Sequence, residues 1–378
     1  MKIIIIGAGA SGITAAINYK RHHKDDDVLV IEHLDKPLKK ILATGNGKCN
    51  LGNSNIDFKR YNEPDYALNV IKNYDYVSFF NSISIQTKLI GDLAYPVSES
   101  SVSVREALLN ECRKLKIKIN VSESLLDYEF KCKIIVLTNK NTYECDKLYL
   151  AGSLCSSPKL GSDGSLIQIL KKHNYNIVKP EPGLSPLYTV EKTKELDGVR
   201  FKGEVKLYSA LKLVHKEDGE ILFKDHGLSG IVIFNMMSII SRNPNQKYKI
   251  VLDLLPEYDK NYLDEYVKTH SVDEFLLAFI NPKISEYLKH KSPLNADITN
   301  LVKNLEFTFD KSYGFDFSQV SVGGVDLKEV DENLMSKKES NVYLIGELLN
   351  VDGPCGGYNL TWAFASALKA TLWHINLN

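Results

Sequence analysis

The chain has 378 residues, more than one average domain needs, and its 47 Lys plus Arg balance 47 Asp plus Glu, so the formal net charge is zero. That balance excludes the bulk electrostatics of a nucleic-acid or anionic-membrane binder. A hydrophobic content of 44% with 25% charged residues suits a soluble globular protein, and no stretch approaches the roughly 18 apolar residues of a membrane span, so the chain reads as cytoplasmic.

Residues 2–6, KIIII, suit a strand buried on both faces, and residues 14–20 suit a helix. This puts Gly7-Ala8-Gly9-Ala10-Ser11-Gly12 at a strand-to-helix turn, where GxGxxG has a physical meaning. Gly7 permits the tight turn, Gly9 lets a pyrophosphate approach the backbone, and Gly12 lets the helix pack closely on the strand, while the helix N-terminus adds partial positive charge. A second strand over 28–32 ends in Glu32, about 20 residues on, where a carboxylate can bind ribose hydroxyls, with His33 beside it. A triphosphate P-loop is excluded, because Ile13 follows Gly12 in place of lysine. Alone, this turn would serve NAD as well as FAD. The charged run 22–27 reads as a solvated turn, since its two histidines have no partner at metal-ligand spacing. The six cysteines form no CxxC pair and suit reduced thiols.

Residues 36–53, KPLKKILATGNGKCNLGN, are too rich in Gly and Asn for regular structure and read as a loop presenting backbone amides to an extended cofactor. Lys40 would lie near its phosphates or ribose, and Thr44, Gly45, Asn46, Cys49 and Asn50 near its reactive end. The segment from Lys40 to Asn50 resembles the signature of the aminoacetone-oxidase-type (BaiN/YhiN-like) family of FAD-binding flavoproteins. The resemblance continues at 94–99, AYPVSE, which a helix over 104–112 and a strand over 117–121 follow. Leu125 then stands where such folds contact the adenine ring. Hairpin strands over 134–137 and 143–149 lead to 150–153, LAGS, in the place of the family's ATGG-like turn, which implies backbone contacts from Ala151 and Gly152. Residues 157–164 resemble the next family segment, and a helix follows over 166–173.

A proline-rich junction at 180–186 opens a different pattern. Short strands are expected at 187–190, 203–207, 212–215 and 221–223, with a hairpin turn at 217–220, a helix over 231–240 and a strand over 249–254. Ser229 is out of register for a nucleophile elbow and reads as a turn before that helix. Helical periodicity at 262–267 and 272–279, interrupted by Pro282 and Pro293, suggests a small cap, and 307–309 reads as a returning strand. Residues 319–325, QVSVGGV, resemble the family's return into the cofactor domain.

The second anchor is 341–364, which contains Gly346-Glu347, Asp352 and Gly356-Gly357-Tyr358-Asn359 and closely resembles the family's GExLDVDGxxGGYNLxWA. It is again strand, turn and helix. Glu347 can bind ribityl hydroxyls, the two glycines allow close approach to an isoalloxazine ring, and the helix beginning near Asn359 would stabilise negative charge on a reduced flavin. Cys49 and Cys355 read as small residues beside glycine turns, because no base or resolving cysteine accompanies either.

The expected fold is α/β. A discontinuous Rossmann-like FAD-binding domain (1–185 and 318–378) carries an inserted antiparallel β lobe for substrate (186–255 and 305–317) and a helical cap (256–304). The resemblance implies non-covalent FAD and oxidation of a small primary amine, such as aminoacetone, to an imine, with oxygen as acceptor giving hydrogen peroxide. It also allows NAD(P)H-driven reduction of an unsaturated, steroid-like compound; the lack of a second strand-GxGxxG-helix unit in the sequence weighs against that reading and leaves NAD(P)H only transient binding without a dedicated domain. A flavin-binding sensor without turnover is the third reading. The expected partner is a small molecule, with neither nucleic acid nor membrane. Tyr95, His226 and Tyr358 are the candidate polar groups at the flavin; none is assigned a catalytic role.

Overall fold

In the computed structural model, which describes residues 1–291 and 297–372, β1 (Lys2–Ile6) is the centre of a five-stranded parallel sheet. The order is Val342–Leu344, Lys147–Leu150, β1, β2 (Asp27–Ile31), Lys118–Asn120. All four isoleucines of β1 are buried, as a central strand covered on both faces requires. Between β1 and β2 runs α1 (Ala10–His22), which packs against the helix Tyr358–Leu372. The sheet belongs to one of two compact units, Met1–Glu181 with Val320–Asn378. The other is Pro182–Gln319, so the chain divides a few residues away from the expected 185/186 and 317/318.

Four local readings of the sequence are corrected. Residues 143–149 do not form one strand: Thr142–Cys145 joins an antiparallel sheet with Leu125–Phe130 and Ile134–Thr138, whereas Lys147–Leu150 joins the parallel sheet. Asp146 makes the corner, its N–H donating to the Lys2 carbonyl at 2.8 Å and its carboxylate accepting the Lys2 N–H at 2.6 Å. Part of the loop 36–53 is helical, with an α-turn Lys39–Ala43 and a 3-10 turn Thr44–Gly47. In the second unit, residues 217–220 are not a turn, because Lys212–Lys224 is one strand paired with Arg200–Ser209. That hairpin turns at Ala210, with φ 53°, and at Leu211, which is 97% exposed. Ser229 lies in a short strand, Gly227–Ser229, rather than in a turn.

Gly219 shows why composition misled there. A side-chain carbon at this position would lie 2.6 Å from Val232 Cγ1 in the helix Ile231–Arg242, so the glycine lets a helix pack on the strand rather than letting the chain turn. Gly219→Ala is expected to destabilise this unit by about 1–2 kcal/mol by overpacking, and Val232→Ala in the same chain to recover part of that loss. Denaturant titration of the two single variants and the double variant reads both terms.

The inserted strands close into a six-stranded barrel in the order Leu187–Thr189, Gly227–Ser229, Lys212–Lys224, Arg200–Ser209, Tyr248–Asp253, Leu305–Ser312. Closure leaves no free sheet edge. The helices over 256–304 are not a separate cap: Leu263, Phe275, Leu276, Ile284 and Leu288 share one core with Leu207, Phe223 and Phe307 of the barrel. Pro282 begins a helix, Pro282–Lys291, where its missing N–H costs nothing. Pro293 lies outside the described residues.

In the first unit, His173 clamps the three-stranded sheet to residues 336–339. Its Nε2 lies 2.9 Å from Asp127 Oδ1 and its Nδ1 2.7 Å from Glu339 Oε1, and its ring stacks on Tyr128 at 3.9 Å. The Tyr128 and Tyr175 hydroxyls both donate to Glu339 Oε2, at 2.6 and 2.8 Å. Burial alone would lower the His173 pKa, but Asp127 and Glu339 outweigh it and hold the imidazolium above its ordinary value of 6.5. The stability this adds is complete below 6.5 and is lost as pH rises through the raised folded-state value. Urea midpoints are therefore expected to fall with alkaline pH in the native chain, with a flatter dependence in His173→Gln.

Candidate functional site

The first glycine turn is built by close backbone approach. Gly7 has φ 99°, and a side-chain carbon on Gly12 would lie 1.9 Å from the Gly7 carbonyl oxygen. The Ala151 N–H donates to the Ile6 carbonyl at 2.8 Å, and a side-chain carbon on Gly7 would lie 2.8 Å from the Ala151 oxygen. Gly152 is covered by Leu166. Gly9 differs in kind: a side-chain carbon there would meet nothing within 4 Å among the described residues. Gly9 caps α1 without a side-chain hydrogen bond, so no side chain of the cap occupies the amides of Ala10, Ser11 and Gly12 in the first turn. Open space over a glycine beside helix amides is a cradle suited to a pyrophosphate.

Glu32 braces this cradle. Its Oε2 accepts the Ala8 N–H at 2.8 Å and its Oε1 the Leu34 N–H at 2.9 Å, with His33 Nδ1 3.3 Å from the same Oε1. The Glu123 N–H donates to the Glu32 carbonyl at 2.9 Å and the Ser122 N–H to the Leu34 carbonyl at 2.8 Å. The segment leading to Leu125 thus lies along the end of β2.

The second glycine turn meets the first. Gly346 has φ 70°, and a side-chain carbon on it would lie 2.5 Å from Ser11 Oγ. Beside it, Glu347 and Lys40 form an ion pair at 2.7 Å. Glu347 Oε1 also accepts the Ser156 hydroxyl at 2.7 Å and the Ser321 N–H at 3.1 Å. Lys40 Nζ also donates to Ser156 Oγ at 3.0 Å and Ser162 Oγ at 2.9 Å. Burial would raise the Glu347 pKa, but the Lys40 ammonium and these donors prevail and hold it below the usual carboxylate value. Lys40, expected near phosphates or ribose, is therefore tied to Glu347, and the Glu347 carboxylate, expected on ribityl hydroxyls, already has three protein donors. Ser156, Ser162 and Ser321 were not among the expected residues; the motif match over 157–164 was the nearest signal for the first two.

The third part joins the loop 44–53 to the Gly356-Gly357 turn. Gly45, Asn46 and Cys49 all have left-handed backbone, with φ 56°, 53° and 58°. Tyr95 lies beside Gly45. The Gly52 N–H reaches Asn50 Oδ1 at 3.4 Å, Asn53 Nδ2 donates to the Gly356 carbonyl at 3.0 Å, and a side-chain carbon on Gly357 would lie 2.5 Å from the Gly52 backbone. The side chains of Tyr358 and Asn359 hold protein rather than face outward. Tyr358 packs on Tyr61 at 5.2 Å, its hydroxyl accepts the Asp57 N–H at 3.2 Å, and Asn359 exchanges bonds of 3.0 and 2.8 Å with the Gly353 backbone. Asp352 is buried, and its N–H donates to Asn62 Oδ1 at 2.8 Å. Backbone amides at the start of the helix Tyr358–Leu372 are what this turn can offer a ligand. Thr361 Oγ1, in the same first turn, is buried without a hydrogen-bond partner among the described residues and was also missed. Cys49 is fully buried, and burial pushes its thiol up to about 11, which removes it from thiolate chemistry at neutral pH. His226 belongs to the barrel unit, on its surface beside Asp225. Among the described residues no group of three or more His, Cys, Asp or Glu could hold a metal, and no helix is long and apolar enough to cross a membrane.

A parallel sheet, an open glycine cradle and a second glycine turn pressed against the first define a Rossmann-type dinucleotide-binding protein whose site is split between distant parts of the chain. The chain belongs to the HI0933-like family: the family described as HI0933-like protein Rossmann domain matches residues 1–373. Members of this family are FAD-dependent oxidoreductases. The chain is 32% identical to a 3-dehydro-bile acid delta(4,6)-reductase of Clostridium scindens, over 98% of each chain. It is 28% identical to a ribosomal RNA dihydrouridine synthase of Haemophilus influenzae, over 98% of this chain and 97% of that one. Among solved structures, a 3-ketosteroid-delta4-(5alpha)-dehydrogenase of Rhodococcus jostii RHA1 in complex with 4-androstene-3,17-dione aligns over 98% of this chain and 95% of that one, with 12% identity and a TM-score of 0.49.

Proposed function

We propose that this protein is an FAD-dependent reductase that saturates a carbon–carbon double bond conjugated to a carbonyl in a small molecule, with a nicotinamide dinucleotide as outside donor. The observation that carries this reading is the full-length relationship to a delta(4,6)-reductase of 3-dehydro-bile acids. The dihydrouridine synthases support the same chemistry, since dihydrouridine also arises by adding two hydrogens across a double bond next to a carbonyl. A net charge of zero favours a small substrate over a polyanion such as RNA.

FAD, when bound, would supply the hydride transfer. The chain's part is to bind and orient it. Gly9 and the first amides of α1 would receive the pyrophosphate, Gly7 and Gly12 with Ala151 and Gly152 would keep that turn in shape, and Glu32, His33 and Leu125 would border the adenosine. Thr44 to Asn50 and the amides after Gly356-Gly357 would border the ring, where helix-terminal N–H groups favour negative charge on reduced flavin.

The test is anaerobic. The yellow protein is mixed with NADPH, then with a 3-oxo-4,6-diene bile acid, and flavin absorbance is followed. Bleaching by NADPH and recovery with the enone are expected. Bleaching by aminoacetone instead, with peroxide formed on admitting air, would establish the amine-oxidase reading in its place. Failure of both reductants would leave a flavin-binding protein without turnover, and a colourless protein unable to take up FAD would overturn every flavin reading.

A further inference from the structure

One face of a small antiparallel sheet in the first unit touches both turns that would border the flavin ring, and it carries a phenol that the protein does not use. The sheet runs in the order Gly52–Asn53, Leu93–Pro96, Thr87–Ile90. Leu93 and Tyr95 lie on the same side of its middle strand, because side chains two residues apart share a face. Leu93 Cδ2 is 3.5 Å from where a side-chain carbon on Gly356 would be, and Asn53, the strand partner of Leu93, donates from Nδ2 to the Gly356 carbonyl at 3.0 Å. Tyr95 Cε1 is 3.5 Å from the corresponding point on Gly45. Two positions on one strand face are roughly 7 Å apart, so the two turns meet this face close together.

Three polar groups were expected at this end of the site, and Tyr95 is the one whose hydroxyl is left over. His226 lies in the other unit beside Asp225, and the Tyr358 hydroxyl accepts the Asp57 N–H at 3.2 Å. The Tyr95 hydroxyl has no hydrogen-bond partner among the described residues, although the side chain is half-buried. Its surroundings are cationic. Lys88 is its partner on the next strand, and Lys88 and Lys48 both hold Glu99, at 2.6 and 2.7 Å. Glu99, and then Tyr95, push the Lys48 pKa up, so Lys48 is an ammonium at neutral pH. Two ammoniums against one carboxylate leave net positive charge beside the phenol, which favours donation to an oxygen that gains charge. Ile90, the strand partner of Leu93, extends the same face and is 47% exposed.

We infer that Tyr95 is the residue that holds the carbonyl oxygen of the substrate, with Leu93 and Ile90 taking its apolar skeleton. This rests on the reading above as an enone reductase and assigns that site its substrate-activating group. Saturation breaks the carbon–carbon π bond. Hydride, drawn from the nicotinamide donor by way of the cofactor, forms a C–H bond at the β-carbon, and the π electron pair moves to the carbonyl oxygen. The α-carbon then takes a proton from water and the carbonyl re-forms. Negative charge therefore develops where the Tyr95 O–H donates, and a donor already in place needs no reorganisation at that moment.

The test compares the native holoenzyme with Tyr95→Phe, which keeps the ring beside Gly45 and removes the hydroxyl. The probe is a 3-oxo-4,6-diene bile acid labelled with carbon-13 at its ketone. Bound to the oxidised native holoenzyme, its carbonyl stretch in infrared difference spectra should lie below the frequency in an aprotic solvent, and in Tyr95→Phe it should return to that frequency. With NADPH supplied, kcat should fall roughly a hundredfold and affinity only about fivefold, because the hydrogen bond strengthens as charge develops. FAD content and melting temperature should match the native protein. Ile90→Ala should weaken binding by roughly threefold and leave the carbonyl stretch in place. A native stretch or a native kcat in Tyr95→Phe would overturn the assignment, and so would loss of FAD or of stability, which would make the hydroxyl a support of the protein. Absence of binding to the native holoenzyme would overturn it as well. If Tyr95→Phe abolishes the shifted stretch but the native holoenzyme reduces nothing, recognition by Tyr95 holds and the reductase reading fails. If reduction proceeds equally in Tyr95→Phe, the reductase reading holds and the role of Tyr95 fails.

Discussion

Gly12→Ala is expected to destabilise the fold around the nucleotide site strongly, whereas Gly9→Ala should leave the fold intact and weaken cofactor retention. A side-chain carbon at Gly12 would lie 1.9 Å from the Gly7 carbonyl oxygen, far inside van der Waals contact, and that oxygen is backbone held between α1 and the end of β1. The helix must move off the sheet to accommodate it. Overpacking of this severity costs about 3 kcal/mol, which for a unit of this size lowers the melting temperature by about 6–10 °C. At Gly9 the same carbon meets nothing within 4 Å among the described residues, so stability should stay within about 0.5 kcal/mol of the native chain. The added methyl would instead occupy the space through which a pyrophosphate approaches the amides, and FAD retention should fall roughly tenfold or more. Melting curves of the apoproteins and flavin absorbance after gel filtration measure both effects. Equal stability loss in the two variants would contradict the division of labour between the glycines.

Lys40→Met is expected to cost about 2–3 kcal/mol, because it leaves the part-buried Glu347 carboxylate with only the Ser156 hydroxyl and the Ser321 N–H to compensate its charge. Removing both charges, in Lys40→Met with Glu347→Gln, should recover part of this loss, since an unpaired charge is worse than none. The acid limb of stability carries a second signature. Lys40 holds Glu347 below its ordinary value of 4.5, so the stability from this group is present above 4.5 and is lost as pH falls through the depressed folded-state value. Without Lys40 that loss should begin at higher pH, moving the acid-unfolding midpoint upward. A midpoint that stays where it is in Lys40→Met would show that the serine and backbone donors alone set the charge state.

The elements legible in the sequence are those whose cause is local. The isoleucine run of β1 and the glycines of its turn carry their geometry in their own chemistry, because a strand buried on both faces needs apolar residues throughout and a tight strand-to-helix turn needs φ values that Gly7 adopts without strain. The errors share one origin. Gly219 and Asp146 sit where composition is ambiguous, and long-range partners decide them: Val232 leans on the strand at Gly219, and the Lys2 backbone turns the chain at Asp146. The protein partner of Lys40 was hidden for the same reason: it pairs with Glu347, 307 residues away. No periodicity reports a contact of that separation.

The sequence by itself determined a strand–glycine–helix turn of the kind that can receive a dinucleotide, and, through the resemblance of its later glycine motif, that the family is one of flavoproteins. Both follow from backbone requirements that only particular residues meet. The tertiary structure alone decided that the two motifs meet, with Gly346 against Ser11 and Gly357 against Gly52, and that the side chains of Tyr358 and Asn359 bond to the protein's own backbone. It also decided that the insert is a closed barrel sharing its core with the helices. The physical reason is packing: which surfaces cover a glycine, and which donors reach a carboxylate, depend on chain segments hundreds of residues apart.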